Sequence, residues 1–116
     1  MPVLLTKDQQ WVSRGAGVKT AMVVGGHMGA IGITMGQGEI DPGSKLVLHY
    51  HSVEESIMIT EGTGTAVCGN ESQAIGPGDT LLAPAKVPHQ LINNGNGPLR
   101  FIFAYPTKEP DRFVAE

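Results

Sequence analysis

The chain has 116 residues, a formal net charge of −3 and 41% apolar residues. This length suits one domain around a single hydrophobic core, because such domains typically have roughly 100 to 150 residues. Its eight lysines and arginines are scattered along the chain, which excludes the basic stripe expected of a nucleic-acid-binding protein.

Export and membrane insertion are also not expected. The chain contains no run of 18 apolar residues, and its first residues lack the basic-then-apolar pattern of a signal peptide. The single cysteine, Cys68, excludes an internal disulfide and fits a reducing compartment. We therefore expect a cytoplasmic protein with neither a membrane nor a nucleic acid as a partner.

Glycine-rich turns divide the chain into segments of strand length. Several segments are rich in β-branched residues, and none shows a sustained 3.6-residue period. We predict strands at 19–24, 30–37, 45–51, 56–61, 65–68, 73–75, 80–83, 90–93 and 99–105. Segment 107–116 is polar and is predicted to be a short helix or a loose tail. Such regular short strands indicate an all-β sandwich or barrel with a single domain over 1–116.

The predicted strand 45–51 is apolar on both faces, since side chains alternate along a strand. The strand 99–105 repeats this pattern with Arg100 as its only charge. A strand with two apolar faces needs cover on both sides, so we predict a homodimer. The alternative is a monomer in which the tail or the segment around Trp11 provides the cover. The two faces of 45–51 consist of Val47, His49 and His51 on one side and Leu46, Leu48 and Tyr50 on the other.

Four side chains in this region form a candidate metal site. His49 and His51 are two residues apart, so both imidazoles project to the same side of the sheet. Glu55 follows near the start of the next predicted strand, and His89 follows Pro88 beyond a second glycine-rich turn. Three imidazoles and one carboxylate suit one divalent ion of Fe, Mn, Ni, Co, Cu or Zn, whereas Ca and Mg prefer oxygen ligands.

These residues resemble the two sequence motifs of the cupin superfamily. The first motif, G-x5-H-x-H-x3-E-x6-G, is matched across 43–62 by Gly43, His49, His51, Glu55 and Gly62. The second, G-x5-P-x-G-x2-H-x3-N, is matched across 78–93 by Gly78, Pro84, His89 and Asn93, with Lys86 in place of its inner glycine. The resemblance implies a small single-domain cupin, a double-stranded β-helix or jelly-roll barrel, with the metal inside and often a dimer.

Strand alternation also predicts which side chains line a cavity around the metal. Ile57 and Ile59 share a face with Glu55, and a second wall is expected from Ile31, Ile33, Met35 and Gln37. This apolar lining favours a small, rather hydrophobic ligand with one chelating end. Candidates for proton transfer or for hydrogen bonding to the substrate are Gln37, Tyr105 and His27.

Three functions remain open for such a site. A divalent ion bound to one carboxylate keeps a net positive charge, which favours an anionic or enolisable small molecule as the substrate. Two open positions on a six-coordinate ion favour a metal-dependent oxygenase. A lyase, isomerase or cyclase would use the metal as a Lewis acid and requires a base beside it, so that a nearby Tyr or His would favour this second class. The third possibility is a small-molecule-binding module without turnover.

Overall fold

The computed structural model describes residues 2–116 as two antiparallel sheets that enclose a common core. Single 3-10 turns lie at Thr6–Asp8 and Gly26–Met28. The strands are β1 (Trp11–Ser13), β2 (Val18–Val24), β3 (Thr34–Ile40), β4 (His49–Tyr50), β5 (Glu55–Glu61), β6 (Gly64–Cys68), β7 (Glu71–Ile75), β8 (Thr80–Ala83), β9 (His89–Ile92), β10 (Leu99–Tyr105) and β11 (Phe113–Val114). The larger sheet has the order β1-β2-β3-β10-β5-β8, and the smaller has the order β11-β4-β9-β6-β7.

The core lies between the two sheets, as alternating burial along the strands demonstrates. In β10 the side chains of Leu99, Phe101, Phe103 and Tyr105 are buried, whereas Arg100 faces solvent. In β5 every second side chain from Glu55 to Ile59 is likewise buried. This pattern, with two antiparallel sheets, confirms the predicted all-β jelly roll.

The prediction of a closed barrel is wrong. Within residues 2–116 no strand ladder joins one sheet to the other, and β1, β8, β11 and β7 remain edge strands. The chain passes between the sheets at tight turns such as Gly62–Thr63, where Gly62 has a φ of 85° and the ladder stops. The molecule is therefore an open jelly roll of two facing sheets.

The second predicted cavity wall is also wrong. Ile31, Ile33 and Met35 are exposed, and the buried residues of β3 are Thr34 and those at alternate positions after it. The reason is that Gly36 and Gly38 face inward, where the rings of Phe103 and Phe101 occupy the space that side chains would need. The apolar residues of this segment consequently point outward.

Strand 45–51 is shorter than predicted, since only His49–Tyr50 form a strand. Leu46, expected on the face opposite the histidines, is buried in the core. Leu46 lies outside the regular strands, and its backbone N–H donates to the carbonyl of Leu91. This irregular backbone interrupts the alternation of buried and exposed side chains before His49.

The two ends of the chain contain strands that were not predicted. β1 pairs with β2, and β11 pairs with β4 through Phe113 opposite Tyr50. The tail 107–116 is therefore partly a strand rather than a helix or a loose segment. No helix among residues 2–116 is long and apolar enough to cross a membrane.

Candidate metal centre

The structure brings the four predicted ligands together between the sheets. His49 lies in β4 directly opposite His89 of β9, and His51 follows β4. Glu55, the first residue of β5, approaches from the larger sheet. All four side chains are buried, and one donor atom from each lies within 4.8 Å of the others.

A backbone carbonyl orients each imidazole. Nδ1 of His49 lies 2.7 Å from the carbonyl oxygen of Val47, and Nδ1 of His89 lies 3.1 Å from that of Val87. Nδ1 of His51 bonds to the carbonyl oxygen of Asp111. A ring that donates from Nδ1 presents the lone pair of Nε2, which is the arrangement typical of metal-binding histidines.

Electrostatics favour ionised Glu55 and neutral His49. Burial raises the pKa of Glu55, but hydrogen bonds from His51 and His89 outweigh it and lower that pKa to about 2. Burial lowers the pKa of His49 to about 4. Burial also acts to lower the pKa of His51, yet its hydrogen bonds to Glu55 and to the Asp111 backbone raise it overall. Ionised carboxylate and neutral imidazole are the forms that bind metals.

The residues present fit a divalent transition metal. Three imidazole nitrogens and one carboxylate oxygen converge in a buried space, and each imidazole has a backbone partner that fixes its orientation. Glu55 Oε1 lies 2.8 Å from Nε2 of His89 and 3.1 Å from Nε2 of His51, so one oxygen already faces two of the nitrogens. The assignment of the four residues as metal ligands stays a prediction, which this geometry supports.

A cavity of about 170 Å³ adjoins His49, His51 and Glu55. Tyr105 lies in its wall, with its hydroxyl 3.4 Å from Nε2 of His51. Burial raises the pKa of this phenol, and the charge of Glu55 raises it further, so the hydroxyl is neutral near pH 7. The apolar part of the lining consists of Met22, Leu46, Ile57, Phe101, Phe103 and Pro110.

The other two candidates for proton transfer lie elsewhere. Gln37 points to the outer side of β3, where it is hydrogen-bonded to Gln9. His27 is exposed in a 3-10 turn. Neither residue lines the cavity, whereas Arg14 and Arg112 do and were not singled out from the sequence. Both arginines come from irregular segments whose path strand alternation does not predict.

The departure at Lys86 from the second motif leaves the turn intact. Lys86 has a φ of 68°, the left-handed conformation that glycine adopts most easily, and its N–H donates to the carbonyl of His51 over 2.7 Å. Asn93 is buried, and its amide donates to the carbonyls of Ile40 and Gly97. Asn93 thus supports the backbone and does not line the cavity.

Comparisons with known proteins agree with this architecture. Residues 36–105 match the model of the Cupin domain family. An uncharacterized protein of Methanocaldococcus jannaschii is 37% identical over 75 residues, which cover 63% of this chain and 60% of that protein. The chain thus spans less than two thirds of the length of this relative.

Two solved structures have a similar fold. The polyketide cyclase RemF of Streptomyces resistomycificus gives a TM-score of 0.80 at 19% identity, covering 100% of this chain and 88% of that one. The oxalate decarboxylase of Lactobacillus farciminis, in a formate complex, gives 0.84 at 21% identity, covering 93% of this chain and 34% of that one. With the family match extending over more than half of its length, the chain belongs to the cupin family.

Proposed function

We propose that this cupin is a metal-dependent enzyme that acts on a small, fairly apolar metabolite with an anionic or enolisable group. The observation that carries the proposal is the position of the Tyr105 hydroxyl, which lies in the cavity wall 3.4 Å from Nε2 of His51. A hydroxyl at this position can donate a hydrogen bond or a proton to a substrate bound beside the predicted metal site.

Each part of the cavity has a role in this proposal. His49, His51, Glu55 and His89 would hold the ion, which when bound supplies Lewis acidity toward a carbonyl, hydroxyl or carboxylate oxygen. The Tyr105 hydroxyl donates a hydrogen bond or a proton to an oxygen on which negative charge develops. The apolar side chains in the wall lower the local dielectric and so strengthen both interactions.

Tyr105 favours non-oxidative chemistry, namely that of a lyase, isomerase or cyclase. Such reactions require a positioned acid or base beside the metal, and Tyr105 is the candidate that lines the cavity. Oxygenase chemistry is the second candidate, because four protein ligands leave two positions of an octahedral ion for substrate and dioxygen. The cyclase and the decarboxylase of similar fold are less than 25% identical and support the fold alone.

Metal analysis and oxygen uptake test the reaction class. The metal content of natively expressed protein is measured first, and the loaded protein is then assayed against small hydroxy, oxo and enolisable acids with an oxygen electrode. We expect turnover without oxygen consumption. Oxygen uptake coupled to substrate loss would assign the oxygenase, and binding of these acids without turnover would leave a non-catalytic module.

Tyr105→Phe tests the residue that carries the proposal. We expect kcat to fall by about 10²- to 10⁴-fold, the usual contribution of a positioned proton donor, while metal content stays unchanged. Tyr50→Phe is the matched control, since Tyr50 stacks on Phe113 at a ring distance of 5.2 Å and does not line the cavity. Equal activity of the two variants would contradict a role for Tyr105 in turnover.

A further inference from the structure

We propose that Arg14 and Arg112 form an anion-binding pair at the mouth of the metal cavity, which selects ligands with a carboxylate at the end opposite the metal-binding group. Both residues line the cavity that adjoins His49, His51 and Glu55. The inference rests on the proposed function, because it assumes that the metal holds the other end of the ligand.

Arg14 is fixed at two points. It follows β1, and its backbone N–H donates to the carbonyl of Val18 over 2.8 Å. Its Nε donates to Oγ1 of Thr20 over 2.9 Å, and Thr20 is buried on the inner side of β2. Since Nε holds the side chain in place, the two terminal amino groups remain available to bind a carboxylate in a bidentate manner.

Arg112 is positioned by the residue before it and the strand after it. The carbonyl of Asp111 accepts a hydrogen bond from His51, and its carboxylate accepts one from the N–H of Ser52 over 2.8 Å. β11 begins directly after Arg112 and pairs with β4. The backbone of Arg112 is therefore anchored on both sides, next to a predicted metal ligand.

Both guanidinium groups of the cavity are left without a carboxylate partner among residues 2–116. The arginine ion pairs in this part of the chain are those of Arg100 with Glu39 and Glu61.

Charge and size together define the ligand class. The carboxylates in the lining are Glu55, which faces the predicted metal, and Asp111, which accepts from Ser52. With a divalent ion bound, positive charge therefore exceeds negative charge. A cavity of about 170 Å³ is small beside the roughly 300–1,000 Å³ of most small-molecule sites, so it favours a short chain. The expected ligand has two anionic or chelating ends joined by a few apolar carbons.

Binding of two probes of equal length tests the inference without turnover. Cobalt-loaded protein is titrated with glutarate, a dicarboxylate, and with pentanoate, which lacks the second carboxylate; calorimetry and the visible absorption of cobalt report binding. We expect glutarate to bind at least about tenfold more tightly, because a bidentate charge-assisted contact contributes that much or more.

Arginine variants show whether this preference comes from the proposed pair. Arg14→Gln and Arg112→Gln should each weaken glutarate binding by about tenfold while leaving pentanoate binding and cobalt content unchanged. Arg100→Gln is the control, because it removes the same charge on the outer side of the sheet, where Arg100 pairs with Glu39 and Glu61. The control should keep the preference for glutarate.

Three results would overturn the inference: no preference for glutarate in the wild type, a preference that both cavity variants retain, or an equal loss in Arg100→Gln. These outcomes are independent of the enzymatic proposal. If both arginines are needed for the preference for glutarate but no substrate is turned over, the anion site is supported and the proposed enzymatic function is contradicted. If substrate is turned over but glutarate binding does not depend on either arginine, the enzymatic function is supported and the anion site is contradicted.

Discussion

At the scale of single residues, His51 is the best-supported of the four predicted ligands. Its Nδ1 bonds to the carbonyl of Asp111, and its own carbonyl accepts from the N–H of Lys86. These contacts fix both the ring and the backbone, so Nε2 is held toward Glu55 at 3.1 Å. Such outer contacts lower the entropy that a ligand loses when it binds a metal.

His51→Ala should therefore abolish stoichiometric metal binding while the sheets remain folded. Loss of a residue that hydrogen-bonds a metal ligand typically lowers metal affinity by roughly 10- to 100-fold. Loss of the ligand itself should lower the affinity further. The core of apolar side chains does not depend on the ion, so the circular dichroism spectrum should be unchanged. Elemental analysis checks the first point, and normal metal content in the variant would show that the ligand set is different.

The convergence of the four predicted ligands could be predicted because their spacing and strand alternation constrain them. His49 and His51 share a face in any strand, and the motif spacing connects them to Glu55 and His89. The positions of Arg14 and Arg112 could not be predicted, because both residues lie in irregular segments whose path strand alternation does not constrain. Tyr105 was one of three unranked candidates, and only the packing of β10 separates it from Gln37 and His27.

Gly36→Ala tests the close packing that reversed the predicted face of β3. A methyl group at this position would lie 2.4 Å from the ring of Phe103 and 2.9 Å from the backbone oxygen of Ala21. We expect the free energy of unfolding to fall by about 1–3 kcal/mol, as for other overpacked cores. Gly32→Ala is the control because no atom of the described part of the chain lies within 4 Å of its added methyl. Urea denaturation with equal midpoints for both variants would contradict this packing.

At the scale of secondary structure, β11 connects the tail to the metal centre. It pairs with β4, and the N–H of Ala115 donates to the carbonyl of Leu48. Tyr50 and Phe113 stack across the two strands. A polar sequence with one proline gave no strand signal, because β11 is only two residues long and its stability comes from the partner strand.

Removal of residues 110–116 should weaken metal binding without abolishing it. The truncation deletes the carbonyl of Asp111, which orients His51, and we expect metal affinity to fall by about 10- to 100-fold. A second truncation that keeps residues up to Arg112 preserves this contact but loses β11, so it separates the two contributions. Competition with a chelator measures the affinity. Full affinity in the shorter chain would contradict a positioning role for the tail.

At the scale of the whole molecule, the outer face of the larger sheet remains partly uncovered. Gln9 contacts Gln37 on this side, and Ala21 is fully buried, so the N-terminal segment covers the part over β2 and β3. The rest, which we call the outer patch, consists of Met35, Met58, Leu82 and Ile102 at 37% to 60% exposure. Among residues 2–116, the cover that strand alternation requires is therefore incomplete.

We expect a second copy of the chain to cover the outer patch in a homodimer. Met58→Lys should produce a monomer, since it places a charge at the centre of an apolar contact, where Met58 neighbours Ile102 across the strands. Metal content should be unchanged, because the metal centre lies on the other side of this sheet. Gln73→Lys adds the same charge on the exposed strand β7 and should leave the dimer intact. Light scattering coupled to size exclusion gives the mass of each variant. A monomeric wild type would contradict the homodimer, and a dimer that survives Met58→Lys would place the interface on another surface.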